Sequence, residues 1–168
     1  MAQAGILAED DRVELIDGDL IDMTPIGSRH AGAVSRLTRL FGAAVGADAI
    51  VSVQNPVQLD RYSQPQPDLA LLRPRADFYA QSHPQPADVL LIVEVAEASL
   101  DYDRDVKVPL YARHGIPEVW LLDVAGGCLT VYRAPGPDGY GQQRRITRAE
   151  PISPALLPAA VVELTDLL

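Results

Sequence analysis

Val89-Leu-Leu-Ile-Val-Glu-Val95 is the stretch that decides the fold. Every residue in it is apolar except Glu94, and four are β-branched. A continuous apolar run of this length reads as a strand buried on both faces, near the centre of a sheet. It is far too short to span a bilayer. Burying an unpaired carboxylate costs several kcal/mol. Glu94 is therefore expected to meet a cation, a metal, or a cleft at the strand's end.

Downstream of this strand, Asp101 to His114 reads as a helix ended by Gly115. Pro109 inside it predicts a kink or a late start, because proline removes a backbone donor. Glu118–Asp123 and Leu129–Arg133 read as two strands joined by a Gly126-Gly127 turn. Pro135 to Gly141 reads as another turn, followed by a polar strand near 142–146. The tail ends in a short apolar strand over 161–164.

Upstream, Asp17-Gly18 between apolar-alternating flanks is a hairpin signal over 12–23. Ser28 is a candidate N-cap for a helix carrying Val34, Leu37, Leu40, Phe41 and Val45 at helical spacing, closed by Gly46. Residues 49–60 read as one or two strands broken at Pro56. Asp68–Leu72 reads as a short strand, and 73–88, with Pro74, Pro84 and Pro86, as a surface excursion. Hairpin, helix, strands, helix, hairpin is an α/β or mixed α+β order: one mixed central sheet flanked by helices.

The chain has 168 residues, 48% hydrophobic and 22% charged, which fits one globular domain over 1–168. Residues 1–10 lack a basic start and a long apolar stretch, so they do not read as a signal peptide. The single Cys128 excludes an internal disulfide or a cysteine-based zinc cluster, and a cytoplasmic compartment is the default expectation. Net charge is −9, so bulk charge does not suggest nucleic acid. A local site would have to provide for it, for instance carboxylates neutralised by a metal ion. Thirteen of the 14 basic residues are arginine; Lys107 alone is lysine. A lysine kept against that bias points to a role that needs a compact, tunable charge.

Asp68 opens a strand after Pro67, and Glu94 lies near the end of another. Two carboxylates on neighbouring strand ends suit a hard cation of the Mg²⁺ type. The plain alternatives are an arginine salt bridge for Glu94, a strand-start role for Asp68, and an i,i+4 pair of Lys107 with Asp103.

The ordered set Pro67-Asp68 followed by Glu94-Val-Ala96 resembles the PD-(D/E)xK nuclease superfamily. Glu14-Leu-Ile-Asp-Gly18, Ile92–Val95, Asp103, Lys107, Leu110–Asp123 and Leu129–Arg133 together resemble the Uma-two family of restriction-endonuclease-like proteins, over roughly residues 10 to 148. The resemblance implies a restriction-endonuclease-like fold. It implies Mg²⁺, with Mn²⁺ as substitute, held by Asp68 and Glu94 with Glu14 completing the carboxylate set. It further implies Mg-dependent hydrolysis of phosphodiester bonds in DNA, with Lys107 as the superfamily's lysine. His30, in the first turn of the first helix, would hold a phosphate or assist the leaving group. Three departures stand out. The usual lysine position is Ala96, Glu97 replaces a small hydroxyl residue, and Pro109 sits in the helix bearing Lys107.

The competing reading is a nuclease fold that has lost catalysis and serves assembly or protein interaction. DNA binding is expected to be weak without metal, and no membrane association is expected. A homodimer is expected from the hairpin carrying Trp120, Val131 and Tyr132, whose edge needs covering.

Overall fold

The structure is a computed structural model and describes residues 13–23, 25–165 and 167–168. The stretch 1–10 read for a signal peptide lies outside the described residues. Its elements are β1 (Val13–Ile16), β2 (Asp19–Asp22), α1 (Ser28–Val45), β3 (Ile50–Val53), β4 (Leu69–Leu72), β5 (Val89–Ala96), α2 (Leu100–Tyr102), a π-helical turn (Asp103–Lys107), α3 (Val108–Arg113), β6 (Glu118–Asp123), β7 (Cys128–Gly136), β8 (Gly139–Ile146), β9 (Pro151–Ile152) and β10 (Val162–Glu163).

The apolar run forms β5, every residue of which is buried. It lies inside a six-stranded sheet of order β3-β4-β5-β6-β7-β8. β5 and β6 are parallel and the other neighbours antiparallel. A parallel pair needs a crossover, and α2, the π turn and α3 supply it. Side chains alternate across the pleat. Leu91, Val93 and Val95 pack with Val34, Leu37, Phe41 and Val45 of α1. Ile92 and Ala96 pack with Val108, Leu110 and Tyr111 of α3. By the same alternation Glu94 faces the α3 side.

Asp17 and Gly18 take φ of 50° and 92°, the double positive φ of a tight hairpin turn. β1 docks through Leu15, bridged to Gln64, so the hairpin lies against the loop preceding β4. Ser28 is the first residue of α1, and Gly27 takes the N-cap position without a side-chain cap. Only Ile50–Val53 of the segment 49–60 forms a strand. Gln54 turns to φ 51° and ends it before Pro56 is reached. The expected turn over 135–141 is narrower, because β7 and β8 run on to Gly136 and Gly139.

The helix expected over 101–114 is three pieces. The Val108 N–H reaches the Asp103 carbonyl, five residues back, so the helix is widened before Pro109. Proline cannot donate to the carbonyl four residues earlier. The widened turn shifts the register and leaves Pro109 at the start of α3, where a donor is not needed.

Trp120, Val131 and Tyr132 are buried, and the outer edge of β7 is paired with β8. This corrects the reason given for a dimer: the hairpin thought to need covering is interior. Among the described residues no helix is long and apolar enough to cross a membrane.

Candidate active site

Leu69 pairs with Val93, so in antiparallel register Asp68 sits across from Glu94. Val53 pairs with Leu69, which sets Gln54 across from Asp68, and the Gln54 N–H donates to the Asp68 carbonyl at 3.1 Å. Three adjacent strands thus present Gln54, Asp68 and Glu94 in a row at one end of the sheet. A cleft of about 400 Å³ opens over this row. Glu14 enters it from β1, His30 from α1, and Lys107 from the π turn. All five residues predicted from sequence line this one cleft.

Lys107 settles the buried charge at Glu94. Its Nζ lies 2.8 Å from Glu94 Oε1 and 3.0 Å from Glu14 Oε1. Lys107, Glu94 and Glu14 are 4%, 2% and 5% exposed, so this is an interior ion cluster and not a solvated helix lysine. The i,i+4 pairing with Asp103 does not form. Asp103 accepts the Ser99 hydroxyl at 2.5 Å instead. Glu14 also accepts the Gln66 N–H at 2.7 Å, an anchor created where β1 docks on the loop before β4.

Asp68 is held by three donors. Its Oδ2 faces His30 Nε2 at 3.1 Å and accepts the Val95 N–H at 2.8 Å; its Oδ1 accepts Gln54 Nε2 at 3.2 Å. Burial pushes the Asp68 carboxyl up. His30, the Val95 N–H and Lys107 outweigh that and bring it below the ordinary aspartate value. The hydrogen bond to Asp68 is the largest reason that His30 is raised. The other ring nitrogen of His30, Nδ1, is buried and has no hydrogen-bond partner.

Glu94 behaves in the opposite way. Burial dominates and pushes its carboxyl up to about 8, against the attraction of Lys107. Lys107 is raised: burial lowers it, but Glu94, Glu14 and Asp103 together do more. The two directions are compatible, because one ammonium is shared by several buried carboxylates. Glu14, Asp22, Asp68, Glu94, Glu97 and Asp103 line a cleft whose cationic groups are Lys107 and His30. The cleft is lined by more acidic than basic side chains.

Two residues escaped the sequence reading. Tyr111 donates its hydroxyl to Glu94 Oε1 at 2.6 Å. Tyr111 is four residues after Lys107, hence on the same helical face, and that spacing was the available signal. Gln54 holds left-handed backbone, which is costly for a residue with a Cβ. Such strain persists at functional sites, but nothing in its sequence neighbourhood announces it.

Among the described residues no group of three or more His, Cys, Asp or Glu side chains is placed to hold a metal ion. Mg²⁺ commonly needs only one or two carboxylates. It keeps several waters and takes other ligands from substrate phosphates. The opposed Asp68 and Glu94 carboxylates and the acidic lining fit such an ion.

A mixed sheet covered by helices on both faces, with an acidic, lysine-bearing cleft at the strand ends, defines a nuclease-fold protein. Its fold matches the crystal structure of a putative nuclease belonging to DUF820 from Anabaena variabilis ATCC 29413. The TM-score is 0.75 at 15% identity, over 98% of this chain and 94% of that one. A family model, Uma2, described as putative restriction endonuclease, matches residues 2–165, and the chain belongs to that family. No curated protein matches it.

Proposed function

We propose that the protein is a metal-dependent endonuclease that hydrolyses phosphodiester bonds in DNA, with Asp68 and Glu94 holding Mg²⁺ or Mn²⁺. The observation that carries this reading is the opposed pair Asp68 and Glu94 on β4 and β5, with Lys107 against Glu94. The family description and the shared fold support it. The bound ion would supply Lewis acidity and charge stabilisation at the phosphate.

This chain's own groups would do the rest. Lys107 places a fixed positive charge beside Glu94, where negative charge grows on a pentacovalent phosphorus. His30 anchors on Asp68 through Nε2 and would help to orient that carboxylate. Gln54 and the Val95 N–H fix the Asp68 carboxylate. Tyr111 and Lys107 both engage Oε1 of Glu94, so Oε2 is the oxygen left for a cation.

The deciding experiment is a screen of plasmid and oligonucleotide cleavage with Mg²⁺ and Mn²⁺. Cutting that depends on the ion and vanishes with EDTA supports the enzyme. No cutting of DNA or RNA under any of these conditions favours the second reading, an inactive nuclease fold used for interaction. One observation speaks for that second reading: Lys107 already neutralises part of the carboxylate cluster.

The Tyr111 hydroxyl yields a smaller prediction. Tyr111→Phe removes one buried hydrogen bond and leaves the ring's packing in place. It is expected to weaken Mn²⁺ binding about 10-fold, in the range seen when a group that orients a metal ligand is removed. The lost hydrogen bond should lower stability by only about 1 kcal/mol. Calorimetric titration beside a melting curve checks this. Unchanged Mn²⁺ affinity would leave Tyr111 a packing residue.

A further inference from the structure

The first four N–H groups of a helix have no partner inside it. α1 is 18 residues long, and its N-cap, Gly27, has no side chain to offer them. Its first turn holds no acidic residue either. One of these amides finds its partner at the end of β5. Glu97 Oε2 accepts the His30 N–H at 3.4 Å, across 67 residues of sequence. A carboxylate at this place also suits the positive end of the helix dipole.

The strand before Glu97 places it for this contact. Val95 packs on the α1 side of the sheet, and alternation puts Glu97, two residues on, toward the same side. The strand end is fixed, since Ala96 still pairs with Asp123 of β6. Gly27 makes room for the carboxylate: a Cβ there would lie 2.7 Å from Glu97 Oε2. Its φ of −75° is open to any residue, so glycine matters here for space and not for backbone freedom. The same helix turn sends the His30 ring to Asp68, with Nε2 3.1 Å from Oδ2. That oxygen also accepts the Val95 N–H at 2.8 Å. Val95 thus holds Asp68 directly, and Glu97 reaches it through His30.

We infer that Glu97 is a positioning residue: by capping α1 at His30, it fixes the ring that orients the Asp68 carboxylate. The inference rests on the nuclease reading for the purpose of that orientation. The contact itself needs neither metal nor substrate and is measurable without them.

The test records proton–nitrogen correlation spectra of the imidazole rings in metal-free protein, above the pH at which His30 titrates. His83 and His114 serve as internal references. Glu97→Ala is expected to move the His30 ring signals while His83 and His114 keep theirs. Glu97→Gln keeps an acceptor oxygen and should retain the wild-type His30 pattern. Gly27→Ala should reproduce the Glu97→Ala pattern from the other side, because its Cβ pushes the flexible carboxylate away. Combined, the two alanine changes should disturb His30 no further than either alone. With Mn²⁺, each should lower kcat for DNA cleavage about 10-fold and leave KM unchanged. Melting curves show that each variant is folded; if Glu97→Ala is not, Gly27→Ala carries the same comparison. Unchanged His30 signals in the alanine variants overturn the proposal, as do Glu97→Gln signals as disturbed as theirs. Disturbed signals beside an unchanged kcat overturn it too. Disturbed signals in a protein that never cuts DNA would keep the hold of Glu97 on His30 and defeat the nuclease reading.

Discussion

Glu94→Gln is expected to lower Mn²⁺-dependent DNA cleavage about 1,000-fold and to abolish Mn²⁺ binding, while the protein stays folded. The size corresponds to loss of a preorganised electrostatic partner in a dry site. The substitution is clean because of how Glu94 is held. Tyr111 OH and Lys107 Nζ both converge on Oε1. A glutamine can turn its single acceptor oxygen toward those two donors, which leaves its NH₂ where a cation would have to bind. Asp68→Asn should be equally inactive but less stable. Asp68 accepts or faces three donors, from His30, Gln54 and Val95. An amide has one acceptor oxygen, so a donor is left unsatisfied at about 1–3 kcal/mol.

The same carboxylate sets a pH dependence. In the proposed site a cation and a proton would compete for Glu94, whose carboxyl is pushed up to about 8 by burial. Apparent Mn²⁺ affinity should rise about 10-fold per pH unit below 8 and level off above it. Calorimetry across that range, on wild type and Glu94→Gln, decides the point. Equal Mn²⁺ binding by both proteins would remove Glu94 from the metal site.

What could be read from the sequence follows from how local each signal was. Val89–Val95 announces a central strand because burial on both faces needs no distant partner to be recognised. Asp17-Gly18 announces a hairpin because its backbone conformation is a property of those two residues. Glu94 could be flagged as anomalous from its immediate neighbours alone. Its solution could not, since Lys107 reaches it from a π turn thirteen residues on, whose register the helical pattern does not show. Gln54 was invisible, because its meeting with Asp68 depends on strand register and on a left-handed residue that no turn motif marks. The expected dimer edge failed for the converse reason. Trp120 and Tyr132 look sticky in isolation, but Trp120 packs against Phe41 of α1 and the outer edge of β7 is taken by β8.

Lys107→Met is expected to produce the largest change in stability, and the change should depend on pH. The residue is interior, and its removal strands Glu14 and Glu94 together. Breaking a buried ion cluster from one side costs about 3–5 kcal/mol. The sign with pH follows from Glu94. Its folded value, about 8, lies above its ordinary value of 4.5, so the folded state holds the proton more tightly. That stabilisation is present below 4.5 and is lost as pH rises through 8. Without the ammonium the folded value climbs further, because the attraction of Lys107 that opposes burial is gone. The variant should therefore lose little relative to wild type near pH 5 and about 3 kcal/mol near pH 9. Glu94→Gln in the same chain removes one of the stranded charges and should recover a good part of the loss. A double-mutant cycle from urea midpoints at the two pH values measures this coupling directly. Lys107→Arg tests the chemistry of the residue itself. A guanidinium cannot sit as a compact point between two carboxylates, so the arginine variant should also lose stability in a chain otherwise tolerant of arginine. A Lys107→Met protein as stable as wild type at both pH values would return Lys107 to the solvated surface of its helix and take the electrostatic centre out of the proposed mechanism.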